Sequence, residues 1–113
     1  MHTLHLLFAY GTLLDPQVQQ MLFSRTLAPG QPALLYNWKK HTHEEYPFIV
    51  PSAGSVVKGK ILQLSPQELA AADHWEEVPK EYQREQVDVV CGHATLKVWA
   101  YTQREKKDQM LPS

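Results

Sequence analysis

A chain of 113 residues fits one domain of ordinary size, able to bury about two-thirds of its unfolded surface, so neither a metal nor a disulfide is needed to hold a core. Hydrophobic residues make up 43% and charged residues 20%, a globular composition, and a net charge of -1 lacks the basic excess expected of a nucleic-acid-binding surface. Cys91 is the only cysteine, which excludes an intramolecular disulfide and favours a cytoplasmic setting.

Leu4 to Tyr10 is an almost continuous apolar run, interrupted only by His5. It is too short to span a bilayer. With His2 the only potentially basic residue before it and no cleavage pattern after it, it does not read as a signal peptide. A short run of this kind, ended by a glycine, suits a strand buried on both faces. Gly11 then permits a sharp turn. Asp15-Pro16 is a helix start, with Asp15 as cap and Pro16 at the first helical position. Val18, Met21 and Leu22 carry the helix to about Arg25. Residues 28–32, Ala-Pro-Gly-Gln-Pro, form a turn cluster. Ala33 to Lys39 reads as a strand, and His41 to Glu45 as a polar loop. Pro47 to Val50 is a short extended piece, residues 52–55 are a turn, and Val56 to Leu64 is a longer strand in which Gly59 marks a bend or a close backbone approach.

Ser65-Pro66-Gln67-Glu68 is a capping box with proline at the first helical position. The helix that follows runs through Leu69 to Asp73, His74 and Trp75. A polar segment from Glu76 to Glu81, interrupted by Pro79, leads to Tyr82–Val90 and Ala94–Thr102, two strands joined at Gly92 as a hairpin. From Gln103 onward the chain is polar and reads as a loose tail. The expected organisation is one domain over 1–103 and a tail over 104–113. The element order is β-α-β-β-β-α-β-β. With short connections, this predicts an α+β fold: a small mixed, mostly antiparallel β-barrel flanked by two helices.

Five blocks carry a resemblance. Phe8-Ala9-Tyr10-Gly11-Thr12-Leu13, with Leu14-Asp15-Pro16 after it, resembles the opening signature of the γ-glutamylcyclotransferase-like superfamily and its avirulence-induced-gene-like branch. Tyr46-Pro47 with Pro51, Val57-Lys58-Gly59, Asp73-His74-Trp75-Glu76 and Tyr82-Gln83-Arg84 resemble its later motifs, in order, across residues 6–102. The resemblance implies a small mixed barrel with flanking helices and conversion of a γ-glutamyl compound to 5-oxoproline with release of an amine. It implies a small-molecule γ-glutamyl substrate, no metal and no organic cofactor, and no nucleic-acid or membrane partner. By motif position Glu76 matches the catalytic glutamate, and Tyr10, Gly11, Thr12 and Leu13 match the substrate-binding loop. Where the family commonly has glycine after that glutamate, this chain has Glu77.

These residue types suit such chemistry. An α-amine attacking its own γ-carbonyl closes a five-membered ring, and holding the substrate folded lowers the barrier. A base must accept a proton, and donors must hold the developing oxyanion. Glu76 is the candidate base. Apolar surroundings from Trp75 and Val78, and repulsion from Glu77 and Glu81, are expected to raise its pKa. The turn at Tyr10–Leu13 is the candidate anion cradle. Tyr82 and Arg84 share a strand face. Arg84 is expected either to meet a carboxylate in the site or to form an ion pair with a neighbour such as Glu85 or Asp88. Tyr101, on the face of Trp99, is a further candidate for the pocket wall.

Other signals carry less. His41-x-His43-Glu44 has no second cluster to complete a metal site. His5 suits a core or edge position, and His74 an exposed one. Cys91 suits a turn rather than a nucleophile. Two alternatives stand beside the enzyme: a non-catalytic module that binds a small carboxylate on the same fold, and an interaction domain that uses a free sheet edge. The leaving amine remains open among an amino acid, a lysine ε-amine, another amine and the cysteinylglycine portion of glutathione, with residues 41–46 and 76–81 expected to decide. No motif bears on oligomeric state.

Overall fold

The computed structural model describes residues 3–42 and 47–103. The expected tail at 104–113, and His43, Glu44, Glu45 and Tyr46 of the expected loop and tyrosine-proline block, lie outside the described residues.

Strand β1 (His5–Ala9) leads through a 3-10 turn (Thr12–Leu14) into helix α1 (Pro16–Phe23). Strands β2 (Gln31–His41) and β3 (Phe48–Leu64) form a long antiparallel ribbon. Helix α2 (Pro66–Trp75) precedes the hairpin of β4 (Gln83–Cys91) and β5 (Ala94–Thr102). The strands close into a barrel in the order β1-β3-β2-β4-β5, with β5 returning to β1 in parallel at Leu7↔Trp99 and every other pairing antiparallel. The predicted mixed, mostly antiparallel barrel with two helices is therefore the fold. The closing contacts are short, a single registered pair at Leu7↔Trp99 and another at Leu34↔Val90. Among the described residues, no helix is long and apolar enough to cross a membrane.

Capping decides where the helices begin. Asp15 Oδ1 accepts from the Gln17 N–H at 2.8 Å ahead of Pro16. Ser65 and Glu68 form the reciprocal capping box, with bonds of 3.1 and 2.9 Å. Helix α1 stops at Phe23, short of Arg25, because Ser24 turns left-handed at φ 57°. At the β4–β5 turn, Gly92 has φ 63° in a two-residue connection between the paired residues Cys91 and Ala94. Positive φ at the first turn position suits the twist of the flanking strands and favours glycine there.

One expectation is corrected. The two extended pieces 47–50 and 56–64 are a single strand, and the turn expected at 52–55 lies inside it. Tyr36 pairs with Val56 and Trp38 with Pro51, so residues 52–55 face only Asn37 across the ladder. The surplus is absorbed as a bulge. Asn37 and Gly54 take φ 69° and 84°, and the Gly54 N–H donates to Asn37 Oδ1 at 3.1 Å. The turn-forming residues act as expected locally, but the ladder resumes beyond them.

Alternation along the strands creates two cores. Phe8, Leu35, Ile49, Val89 and Val98 fill the barrel, while Leu7, Phe48, Leu62, Leu69 and Ala72 lie between the barrel and the helices. β1 contributes to both, as its unbroken apolar run implies. Gly59 is where β3 crosses closest to β1: an added Cβ would sit 2.5 Å from the Ala9 carbonyl oxygen and 2.7 Å from the Phe8 ring. Neither the backbone nor a fully packed ring has room to retreat. Gly59→Ala should therefore lower unfolding free energy by about 1–3 kcal/mol in urea titrations, and wild-type stability in that variant would contradict this packing.

Candidate functional site

The site begins where β1 ends. After Tyr10 the chain enters the 3-10 turn, whose own bonds run from the Leu14 and Asp15 N–H groups to the Gly11 and Thr12 carbonyls at 3.0 Å. The N–H groups of Thr12 and Leu13 precede those bonds and are not used by the turn. Gly11 has a negative φ of -144°, so left-handed freedom is not its role. A Cβ there would lie 2.9 Å from Pro47 Cγ; the glycine admits the start of β3 against the turn. Lys40 Nζ donates to the Tyr10 carbonyl at 3.2 Å from outside.

The second wall is the C-terminal end of α2. Glu76 is the residue after the last helical position, its N–H donating to the Ala72 carbonyl at 2.9 Å. Four side-chain bonds fix this end. Arg84 grips Asp73 through two bonds of 2.7 and 3.1 Å, the Tyr101 hydroxyl donates to the same Asp73 Oδ1 at 2.7 Å, and Trp75 Nε1 donates to Thr12 Oγ1 at 3.2 Å. The last of these ties the helix end to the β1 turn directly. Arg84 also lies 4.3 Å from the centre of the Trp99 ring, a cation–π contact that holds the guanidinium against β5. Immediately after Glu76 the backbone turns left-handed, at φ 53° for Glu77. Glycine takes that conformation at least cost, and it is the residue that the resemblance leads one to expect where this chain has Glu77.

Between these walls lies a cavity of about 750 Å³, within the size range of small-molecule sites. Tyr10, Gly11, Thr12 and Leu13 line one side, Trp75, Glu76, Glu77 and Glu81 another, and Tyr82, Tyr101 and Gln103 are also in the wall. The Glu76 carboxylate has no hydrogen bond or ion pair among the described residues. Burial alone pushes its pKa up to about 7. The expected repulsion from Glu77 and Glu81 is not among the causes; both are exposed at the rim, where water screens them. The Tyr10 and Tyr101 phenols are raised well above their ordinary values. Burial is the main cause for both, followed by the Tyr82 and Glu76 charges for Tyr10 and by the Asp73 hydrogen bond and charge for Tyr101. Both phenols therefore stay protonated at neutral pH. Tyr10 donates to the Tyr101 carbonyl, Tyr82 to the Pro47 carbonyl at 2.8 Å, and Tyr101 to Asp73.

The cavity thus gathers every residue singled out from the sequence except Arg84. That expectation is corrected: Arg84 shares a face with Tyr82, yet its guanidinium is held by Asp73 and does not line the cavity. Its partner comes from α2, not from Glu85 or Asp88; Asp88 instead meets Lys97 at 3.4 Å on the exposed hairpin, and Glu85 accepts from Thr102. His74 is exposed as expected, at the cavity margin. Sequence reasoning missed Asp73 as the shared anchor, although it stands in the same motif as Glu76. It also missed Gln103, assigned to a loose tail but only 8% exposed, with its main-chain N–H bonded to the Ile49 carbonyl at 3.1 Å. No local signal marks Gln103; only strand registration brings it inward.

A family profile described as "Gamma-glutamyl cyclotransferase, AIG2-like" matches residues 7–113. AIG2-like protein D of Arabidopsis thaliana is 30% identical over 112 residues, covering 94% of this chain and 72% of that protein. A protein of Arabidopsis thaliana solved in solution superposes with a TM-score of 0.81 at 31% identity, covering 96% of this chain and 67% of that one. A solved gamma-glutamyl cyclotransferase shares the fold, with a TM-score of 0.75 at 19% identity over 90% of this chain and 68% of its own length.

A carboxyl raised from 4.5 to about 7 in the folded state has a definite stability signature. Below about pH 4.5 the group is protonated whether folded or unfolded, and burial of the neutral form costs little. Between about 4.5 and 7 the folded state keeps a proton that the unfolded state releases, so stability falls as pH rises, and above about 7 the cost is constant. Glu76→Gln should thus raise unfolding free energy by on the order of 2–3 kcal/mol at pH 8 and leave it nearly unchanged at pH 4. Equal gains at both pH values in denaturant titrations would contradict a desolvated carboxylate.

Proposed function

We propose, from the premise that this chain belongs to the gamma-glutamyl cyclotransferase, AIG2-like family, that it is a cyclotransferase converting a γ-glutamyl amine or γ-glutamyl peptide to 5-oxoproline and the free amine. The observation that carries the reading is Glu76: a carboxyl with a pKa near 7 and, among the described residues, no hydrogen-bond or ion-pair partner, across one cavity from a turn that does not use its Thr12 and Leu13 N–H groups.

In this reaction the substrate's α-nitrogen forms a bond to its own γ-carbonyl carbon, and the bond from that carbon to the leaving nitrogen breaks. The attacking nitrogen starts as an ammonium and ends as a ring N–H, so it gives up two protons; the leaving nitrogen starts as an amide and ends as an ammonium, so it gains two. No water is consumed. Glu76 carries the two protons in turn, accepting each from the attacking nitrogen and delivering it to the leaving one, and a pKa near neutrality suits both halves of that relay. The Thr12 and Leu13 N–H groups are the donors for the oxyanion that develops on the γ-carbonyl. Tyr10, Tyr82 and Tyr101 remain neutral and shape the wall. Arg84 and Asp73 act at one remove, holding the end of α2 so that Glu76 faces the turn. Enclosure keeps the chain of the substrate folded, which supports ring closure.

The decisive experiment offers a panel of γ-glutamyl compounds and measures 5-oxoproline. Glu76→Gln should reduce kcat by about 10²–10⁴-fold while the protein stays folded. The wild-type kcat/KM should rise with pH through about 7, as Glu76 loses its proton. A folded Glu76→Gln variant with near-wild-type turnover would refute the assignment. Melting-temperature shifts without any 5-oxoproline would identify the protein as a binding module instead.

A further inference from the structure

Among the described residues, four that line the cavity carry a hydroxyl: Tyr10, Thr12, Tyr82 and Tyr101. The three phenols commit their single protons to the Tyr101 carbonyl, the Pro47 carbonyl and Asp73. Thr12 is the exception. Its Oγ1 accepts from Trp75 Nε1 at 3.2 Å, and among the described residues its own proton has no acceptor. An indole N–H only donates, so it holds the hydroxyl oxygen as an acceptor on one side and leaves the proton to turn to another. Thr12 is partly exposed rather than sealed in the core, and both it and Trp75 line the cavity. Their bond runs from one wall to the other, from the β1 turn to the residue before Glu76.

We infer that the Thr12 hydroxyl donates to the oxyanion formed on the substrate's γ-carbonyl, and that Trp75 is the positioning residue that turns it there. The inference rests on the cyclotransferase reading and deepens it by adding a donor that acts in the transition state. As the α-nitrogen bonds to the γ-carbon, the carbonyl π pair moves onto the oxygen; it returns to re-form the carbonyl as the leaving nitrogen departs. A carbonyl oxygen offers two lone pairs, enough for the Thr12 and Leu13 N–H groups, and the oxyanion offers a third. The Thr12 hydroxyl is separated from the Thr12 N–H only by Cα and Cβ, so it is placed to meet the same atom. A donor whose acceptor arises only as charge develops stabilises the transition state over the bound substrate. Without the indole N–H the hydroxyl is free to rotate, and its proton loses that preset direction.

The test is a double-mutant cycle. Thr12→Val keeps the shape of the side chain and removes the hydroxyl; Trp75→Phe keeps an aromatic ring and removes the donor. The substrate is whichever γ-glutamyl compound the wild type turns over fastest, γ-glutamyl methylamide included, and the readout is 5-oxoproline. Thr12→Val should lower kcat by about 10²-fold with KM within about threefold of wild type. Thr12→Ser, which restores the hydroxyl, should recover most of that loss. Trp75→Phe should lower kcat by about fivefold to tenfold when Thr12 is present, and by less than about twofold in the Thr12→Val background, because its effect passes through the hydroxyl. Equal losses in both backgrounds would mark Trp75 as packing alone and overturn its role. Wild-type kcat in a folded Thr12→Val variant would overturn the donor, as would a raised KM with kcat unchanged, which marks a contact made equally in substrate and transition state. If Thr12→Val fails to fold, Thr12→Ala takes its place in the cycle. If the wild type releases no 5-oxoproline from any γ-glutamyl compound, the cyclotransferase reading and this inference fall together; if it does and the variants match it, the inference alone falls.

Discussion

The arrangement of this site depends on one carboxylate that does not itself line the cavity. Asp73 receives both arms of Arg84 and the hydroxyl of Tyr101. A short helix packed on a barrel has freedom to slide and rotate, and its last turn frays first. Two sheet residues, one from β4 and one from β5, pin that turn with charge-assisted bonds whose geometry is set by the guanidinium fork. With Trp75 bonded to Thr12, the helix end is attached to β1 as well. The position of Glu76 follows from residues one and three places before it.

That anchoring is what allows a costly group to persist. An unpaired, largely buried carboxyl works against folding, and a loose helix end would relieve the cost by swinging it into water. Here the cost is held in place by the closed barrel, whose interior is packed by all five strands. The same burial that weakens the fold tunes the acid to neutral pH. Stability and the proposed chemistry therefore pull in opposite directions at one residue, as is common where a site is pre-organised.

Much of this was legible in the chain. The helix starts were explicit, because Asp15-Pro16 and Ser65-Pro66-Gln67-Glu68 encode their caps locally. The double burial of β1 followed from its nearly continuous apolar run, and Gly59 signalled a bend or a close approach. Glu76 and the β1 turn were visible as motifs. What stayed hidden depended on contacts across the fold. Residues 52–55 carry turn chemistry, but whether a turn ends a strand or bulges within it depends on what lies opposite, and Asn37 is distant in sequence. Arg84 offered several acidic partners nearby, and the true one is on a helix eleven residues earlier. Gln103 lies in a polar stretch, and only the register of β5 and its bond to Ile49 turn it inward.

The charge around the cavity mouth has a bearing on the end of a catalytic cycle. Glu76, Glu77 and Glu81 all line it, and no lysine or arginine does among the described residues. In the proposed reaction the substrate's glutamyl head enters as a zwitterion, its ammonium offsetting its carboxylate. Ring closure erases the ammonium, so 5-oxoproline is a net anion from the moment it forms. In that reaction the buried Glu76, once it has passed on its protons, is again a carboxylate facing an anionic product, a like-charge pairing that favours release.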